Sequence, residues 1–247
     1  MAFTLPTNEE KYTYVHSQFE RIAKRYDFTN DAISFGMHRL WKAKAVDILL
    51  NSPGQLDSEP RSFLDVCCGT GDLAITIAKK ANQNDKITGL DFSNNMLNVA
   101  RSRTNKDSNN LEVEWLQGDA QNLPFETNSF DGAIISFGLR NLTDINKGIS
   151  ELSRVVKPGK LVINLDLGDP QGIVFAPMFK LFFRYVVPVV GSVLQNDQKA
   201  YTYLPESMNT YPNPDEISNR FRSCQLEDVV HIPLAGGSVA LHHGKAI

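Results

Sequence analysis

Four carboxylates and a glycine corner form the stretch of this chain best suited to chemistry. In SFLDVCCGTGDL, residues 62–73, Asp65 precedes Gly69-Thr70-Gly71 and Asp72 follows at once, while Asp91 lies twenty residues beyond Gly71 and Asp119-Ala120 closes a later apolar run. Glycine at such a corner removes the Cβ that would block a positive φ or the approach of a ligand to the backbone. The helix that follows aims unpaired N–H groups at whatever fills the crevice. Two ligand classes fit this nucleotide-type arrangement. Gly69, Gly71 and Ala74 satisfy G-x-G-x-x-G/A, with Asp91 placed where a dinucleotide fingerprint requires an acid for the ribose. Against a pyrophosphate stand Asp65 and Asp72, whose carboxylates would repel phosphate near a helix end. The same carboxylates suit S-adenosylmethionine, which has no phosphate and presents a cationic sulfonium and ammonium. A plain glycine turn with a capping aspartate is the third reading, and the motifs downstream count against it.

A second constellation sits at 136–141, Ser136-Phe137-Gly138-Leu139-Arg140-Asn141. A fixed cation in a dry site stabilises a developing oxyanion and lowers the pKa of a phenol. Arg140 is therefore the candidate for stabilising an oxyanion that develops at the ligand edge of the sheet, with Asn141 beside it to orient the oxygen. The alternative is structural: Arg140 paired with Asp144 at a helix start, a surface pair that would contribute little.

Elements must bring these residues together, and the hydrophobic pattern supplies them. Phe63, Leu64 and Val66 read as a buried strand running into the glycine corner, and Leu73, Ile75, Ile77 and Ala78 as the helix it opens. A second strand at 86–92 ends on Asp91, and Ser93 or Asn94 then caps a helix carrying Met96, Leu97 and Val99. A third strand covers 111–119 and a fourth, nearly all apolar, 131–137, as expected where both faces are covered. A helix at 145–156 and a turn at Lys157-Pro158-Gly159 lead to a fifth strand at 160–170. Strands alternating with helices at this spacing mean βαβ units and a parallel sheet, whose ligands bind at the carboxyl ends of the strands. Two closing runs, 226–233 and 238–242, joined by Gly236-Gly237, read as a hairpin, with His242 and His243 as exposed bystanders.

Flanking segments supply the walls. Val15, Phe19, Ile22 and Ala23 fall at the spacing of an amphipathic helix within 6–24. Next, 25–42 reads as a helix-turn-helix packing Tyr26, Phe28, Phe35 and Trp41 onto the sheet. Asp27, Asn30, Asp31, His38 and Arg39 then remain to be placed, a mixture that a cap over a cofactor pocket needs. Residues 172–194 are apolar enough to raise the question of a membrane span, but Lys180 and Arg184 interrupt the centre and Pro177 and Pro188 break the helix. Phe175, Met178, Phe179, Phe182 and Phe183 then form either core or the wall of a pocket for a greasy substrate, with basic residues beside them that could touch a membrane surface. The expected organisation is a helical cap over 1–50 and an α/β domain over 51–247, with a substrate-side insertion at about 170–212.

Composition sets bounds. At 247 residues, 42% hydrophobic and net charge −3, the chain can bury a sizeable core, and it has no Lys/Arg stripe for nucleic acid. Three cysteines, two of them adjacent at Cys67 and Cys68, make no disulfide framework and favour a reducing, cytoplasmic setting. Residues 1–11 have no apolar core flanked by basic residues, so no signal peptide is expected.

D-x-x-x-G-x-G-D with a later strand-end aspartate resembles the first two motifs of class I methyltransferases. YDFTNDAISFGMHRLWK, LDVCCGTGDL, GLDFSNNML, GDAQNLPFETNSFD, ISFGLRNLTD, ELSRVVKPG, GSVLQNDQKAYTYLPES and GGSVALHHGKAI resemble, in order and over nearly the whole chain, the menaquinone/ubiquinone C-methyltransferase family. The resemblance implies a class I, Rossmann-like methyltransferase fold: a mostly parallel seven-stranded sheet with an antiparallel last strand. It implies S-adenosylmethionine as cofactor and methylation of a ring carbon of a lipophilic prenylated quinol, with peripheral contact to a membrane in view. It places cofactor contacts on Thr70, Asp91, Asp119, Ala120 and Ser136, beside Asp65, Gly69, Gly71 and Met96, and expects no metal. Cys67-Cys68, where many members have Gly or Ala-Gly, and Asp166-Leu167, where they have Glu-Phe, are departures. The double cysteine resembles the cyanobacterial and plant branch that methylates 2-phytyl-1,4-naphthoquinone. An NAD-type oxidoreductase, a benzoquinol methyltransferase and a non-catalytic cofactor-binding subunit are the other readings.

Overall fold

The computed structural model describes residues 8–51, 60–107, 111–195 and 210–247. Its centre is a seven-stranded sheet of β1 (Ser62–Val66), β2 (Lys86–Asp91), β3 (Glu114–Gln117), β4 (Phe130–Ser136), β5 (Val156–Leu167), β6 (Leu226–Leu234) and β7 (Val239–Ala246), in the order β3-β2-β1-β4-β5-β7-β6. The first five strands pair in parallel, and β7 runs antiparallel to both β5 and β6. The chain winds outward from β1 to β3 and then returns to the other side of β1 with β4. That reversal opens a crevice at the carboxyl ends of β1 and β4, where ligands of such sheets bind.

Strand periodicity builds two cores. Leu64, Val66, Ala133, Ile135 and Val162 face one apolar layer with α6 (Ile145–Val155) and α9 (Pro214–Ser223). Phe63, Ile134, Leu161, Ile163 and Leu165 face the opposite layer, with α3 (Met37–Asn51) and α4 (Asp72–Lys80). Successive residues point to opposite faces, so strands covered on both sides are mainly apolar, and the acids they bury, such as Asp65 and Asp166, are hydrogen-bonded. Truncating a fully buried residue here, such as Ile134→Ala, should cost about 2–5 kcal/mol. Caps fix the helix starts. Ser93 Oγ accepts the Met96 N–H at 3.2 Å to start α5 (Asn94–Lys106), Asp144 Oδ1 accepts that of Lys147 at 3.0 Å, and Asn213 with Glu216 forms a capping box.

Several expectations are corrected. The third strand spans only Glu114–Gln117 rather than 111–119, and the Lys157-Pro158-Gly159 turn is a bulge inside β5, where the register jumps from Phe130↔Val156 to Gly132↔Leu161. The segment 25–42 contains α2 (Tyr26–Ser34) and the start of α3, but Phe28 is 63% and Phe35 81% exposed. Phe35 has φ 52° in the turn that ends α2, which throws its ring outward instead of onto the sheet. His242 is buried rather than exposed, because β7 lies inside the sheet between β5 and β6, and its Nε2 meets the Pro214 carbonyl at 2.9 Å. Pro177 and Pro188 do not break the helix. From α7 (Phe175–Leu181) to α8 (Val187–Gln195) the chain stays helical through a π turn at Phe182–Val186. Pro177 sits in the first turn, where no N–H is needed, and the widened π turn relieves the clash that Pro188 would impose on the carbonyls behind it. The expected loop at 51–61 and the aromatic segment at 201–214 fall largely outside the described residues.

Candidate active site

Two adjoining cavities open at the carboxyl edge of the sheet. One, of about 980 Å³ including its mouth, lies between the glycine corner, α2, α3 and the α7 segment. The other, of about 660 Å³, lies between the ends of β2 and β3 and α1 (Asn8–Ile22), from which Tyr12, Val15 and Phe19 contribute. Tyr26, Cys67, Gly69, Ser136 and Phe137 border both. The spacing of these walls suits a bipartite molecule that passes the glycine corner.

At that corner the two glycines serve different ends. Gly69, with φ 55°, faces open space: an added Cβ would find only the Tyr26 ring, 3.9 Å away. Gly71, with φ 82°, is closed: an added Cβ would lie 2.4 Å from the Trp115 ring and 3.0 Å from Ala100. Gly71 borders neither cavity and is a packing glycine, which corrects its placement among the cofactor contacts. Met96 is likewise fully buried, against Ile22 and Ala23, and lines neither cavity.

The acids divide too. Asp65 Oδ2 accepts the Ala74 N–H at 3.0 Å, capping α4 from the strand, and its Oδ1 is buried with no partner. Burial pushes its carboxyl up to about 8 against that hydrogen bond and the nearby Lys42. Asp91 accepts the N–H groups of Gly69 at 2.8 Å and Ser93 at 2.9 Å, and burial lifts its carboxyl to about 6. It faces the second cavity with Asp119 and Ala120; Asp119 Oδ1 takes the Gln121 N–H at 2.9 Å. Asp72 behaves otherwise than the sequence suggested. Burial opposes its ionisation, but Lys42 at 2.9 Å and Arg103 at 3.0 Å outweigh this and hold its carboxyl well below the usual range. Its charge is spent on these cations, so the acidity open to a ligand comes from Asp65 and Asp91.

Thr70 lines the first cavity, and its Oγ1 donates to Asp27 of α2 at 2.6 Å. Arg103 from α5 completes this latch, reaching Asp27 Oδ2 and the Thr70 carbonyl at 3.0 Å each. Ser136, at the end of β4, keeps a buried Oγ with no partner at the junction of the cavities.

Arg140 and Asn141 part company. Arg140 is 8% exposed and borders the first cavity. Its Nη1 donates to Asp166 Oδ1 at 2.6 Å and its guanidinium lies 5.5 Å from the Phe137 ring centre. The partner is thus a buried acid from β5 and not Asp144, which caps α6 instead. Asn141 Nδ2 donates to the Phe137 carbonyl at 3.2 Å and borders the second cavity, away from Arg140's side. The role of Asn141 in orienting a substrate oxygen is therefore withdrawn.

The first cavity also takes in Asn30 and His38 of the expected cap and three of the phenylalanines offered as core or pocket wall, together with Lys42, for which the sequence offers no role, and Tyr26, which it assigns to packing. His38 is 6% exposed, its Nδ1 lies 2.7 Å from Ser34 Oγ, and burial together with Lys42 lowers its pKa. Lys42, Tyr26 and Asn30 join it, with Phe179, Phe182 and Phe183 opposite. The density of polar residues in 25–42 was the available signal; which of them turn inward depends on the α2–α3 turn.

The residues fit S-adenosylmethionine. Asp65 Oδ1 needs a donor such as an ammonium, Lys42 offers a cation for a carboxylate, and Asp91 and Asp119 flank a space for ribose and adenine. Among the described residues no cluster of His, Cys, Asp and Glu could hold a metal ion.

Comparisons with known proteins agree. Residues 7–246 match the ubiE/COQ5 methyltransferase family. A demethylmenaquinone methyltransferase of Desulfitobacterium hafniense is 41% identical over 97% of this chain and 92% of its own, and one of Bacillus cereus 39% identical over 96% and 97%. Among solved structures, magnesium protoporphyrin IX methyltransferase from Synechocystis with bound S-adenosylhomocysteine superposes with a TM-score of 0.66 over 96% of this chain and 100% of its own, at 13% identity. A possible histamine N-methyltransferase from Thermotoga maritima gives 0.62 over 94% and 99%, at 18% identity. These structures share the fold, that of class I methyltransferases. With a family match over nearly its whole length and relatives about 40% identical along nearly all of it, the chain belongs to the ubiE/COQ5 family and is an S-adenosylmethionine-dependent methyltransferase.

Proposed function

We propose that this enzyme methylates a ring carbon of a prenylated naphthoquinol, with the reduced 2-phytyl form as its preferred substrate. The observation that carries this reading is the first cavity, whose lining combines Asp65, with one buried carboxyl oxygen lacking a partner, and the three phenylalanines Phe179, Phe182 and Phe183 of the α7 segment. Relatives that bear the name demethylmenaquinone methyltransferase support the naphthoquinol headgroup. Cys67-Cys68 supports the phytyl branch. In this reading the cap over 1–50 covers both cavities through its described residues, and the insertion at about 170–212 forms the substrate side through its described residues.

A quinone ring is electron-poor, so the reacting form is the hydroquinone. S-adenosylmethionine supplies an electrophilic methyl on a sulfonium. Asp65 would hold the ammonium, Lys42 the carboxylate, Asp91 the ribose and Asp119 with Ala120 the adenine, while Ser136 and Gly69 shape the passage between the cavities. Alignment of ring carbon and methyl can supply roughly 7–11 kcal/mol of the barrier. Arg140, fixed by Asp166, would donate to the ring hydroxyl and stabilise the phenolate as it forms. Because Asp166 balances its charge, Arg140 acts as a preorganised donor and not as a bare cation. The ring carbon gains a methyl and loses one proton in all, and His38, whose pKa is lowered by burial and by Lys42 and Arg39 against the opposing pull of Asp72 and Asp31, would be the base that receives it.

The test is methyl transfer from labelled cofactor to reduced demethylated quinols. The reduced phytyl-naphthoquinol should be labelled at a ring carbon, polyprenyl naphthoquinols more slowly, and oxidised quinones not at all. Equal turnover of a prenylated benzoquinol, or label on oxygen, would overturn the reading.

A further inference from the structure

The helical segment from α7 through α8 is apolar on both of its faces. Phe183 and Val187 are buried on the inner side, and Phe179 and Phe182 line the cavity beside them. On the outer side Val174, Met178, Leu181, Tyr185 and Val189 recur at helical spacing, and each is between 58% and 69% exposed. A helix apolar all round is ordinarily covered by something, and exposed apolar patches of this kind mark interaction surfaces. The patch extends past this helix. The exposed Phe35 ring at the α2–α3 turn lies 6.1 Å from the Phe182 ring, and Met37 and Leu40 beside it are 43% and 64% exposed.

The charges choose the occupant. Lys180 and Arg184 are the charged residues of this helical segment, both exposed, and no acidic residue occurs between Asp169 and Asp197. Two cations among outward apolar side chains complement anionic lipid headgroups, with the apolar side chains entering the acyl boundary. A second copy of the chain would fit poorly, because a two-fold contact sets the same patch of both copies face to face and would bring two cationic patches together. Among the described residues no helix is long and apolar enough to cross a membrane, so the segment would lie on the bilayer.

We infer that the outer face of 174–189, with the Phe35 turn, docks on an anionic bilayer and places the phenylalanine wall of the first cavity at the lipid surface, so that a prenylated quinol enters headgroup first while its tail stays in the membrane. The surface itself stands on exposure and charge; the entry route rests on the proposed quinol substrate. One end of the wall is the Phe182 ring, which touches the exposed Phe35 on one side and the cavity on the other.

The test uses the full chain with quinol-free vesicles of phosphatidylcholine containing phosphatidylglycerol, read by co-sedimentation. The wild type should bind these vesicles and bind pure phosphatidylcholine at least several-fold less. The triple variant Val174→Ser, Leu181→Ser, Tyr185→Ser and the double variant Lys180→Glu, Arg184→Glu should each lose at least tenfold in binding. Both should turn over a short-tailed, water-soluble naphthoquinol at the wild-type rate but a phytyl-naphthoquinol in vesicles at least tenfold more slowly. Failure of the wild type to bind either vesicle, unchanged binding by both variants, or a concentration-dependent dimer of the wild type that the triple variant abolishes would overturn the docking. No turnover of any naphthoquinol by a wild type that does bind vesicles would instead remove the substrate reading and leave the surface standing.

Discussion

Replacing Asp65 by Asn separates the demands of the fold from those of the cofactor. The Asn Oδ1 can still accept the Ala74 N–H that caps α4, while the negative charge facing the cavity is lost. In the ligand-free protein that charge is a burden, since burial raises the carboxyl from 3.8 to about 8. A raised carboxyl pKa means that the folded chain holds the proton more tightly than the unfolded one. The stability this confers is complete below about pH 4 and is lost progressively as pH rises to about 8, a loss of up to about 4 kcal/mol at neutral pH. Asp65→Asn should therefore raise the melting temperature of the ligand-free protein by roughly 8–16 °C at pH 8 and leave it nearly unchanged at pH 4. S-adenosylmethionine binding should move the other way. A hydrogen bond to a charged partner contributes about 1.5–3 kcal/mol, so its loss weakens binding by roughly 10- to 150-fold. Wild-type affinity should rise about tenfold from pH 6 to pH 7, as Asp65 ionises more easily, and the variant should lose most of that slope. Calorimetric titration at the two pH values and thermal unfolding measure both halves. Binding within twofold of wild type, with the same pH slope, would refute the placement of the ammonium at Asp65.

Arg140→Lys and Arg140→Ala should keep cofactor affinity near normal and lower kcat by about 10²–10³-fold; unchanged turnover in single-turnover assays would remove the activating role. His38→Gln should slow turnover at least tenfold and abolish the loss of rate that the wild type shows as pH falls through the lowered pKa of His38, measured as a kcat profile. Gly71→Ala should destabilise by roughly 2–4 kcal/mol, because φ is 82° and the Trp115 ring stands in the way. Gly69→Ala should destabilise less but weaken cofactor binding more, since its Cβ points at open cavity; thermal shift with and without cofactor separates the two.

The parts of the site legible from sequence are those fixed by local rules. Asp65, Gly69, Asp91 and Asp119 border the cavities because strand ends and glycine turns at this spacing set them along one edge of a parallel sheet. The hydrophobic runs likewise gave both core layers, since a strand covered on two sides has no polar face to hide. What failed were inferences about direction. Gly71 and Gly69 are two residues apart with opposite surroundings, because a helix start turns successive residues toward different neighbours. Asp72 looked like a ligand group until Lys42 and Arg103, 30 and 31 residues away, claimed both its oxygens. Asp166 gave no signal of its own: an acid inside an apolar strand becomes intelligible only once Arg140 from the neighbouring edge is seen to neutralise it. Arg140 and Asn141 face different cavities because the short 3-10 turn Leu139–Asn141 rotates adjacent side chains apart.

The central claim is that a quinol ring and a methyl donor meet at the junction marked by Ser136 and Gly69. A crystal structure with S-adenosylhomocysteine and a reduced short-tailed demethylated naphthoquinol tests it most directly. The ammonium should lie on Asp65, the adenine beside Asp119, and an unsubstituted ring carbon about 3–4 Å from the cofactor sulfur, with a ring hydroxyl on Arg140. A ring bound elsewhere, or one presenting an oxygen to the sulfur, would contradict it.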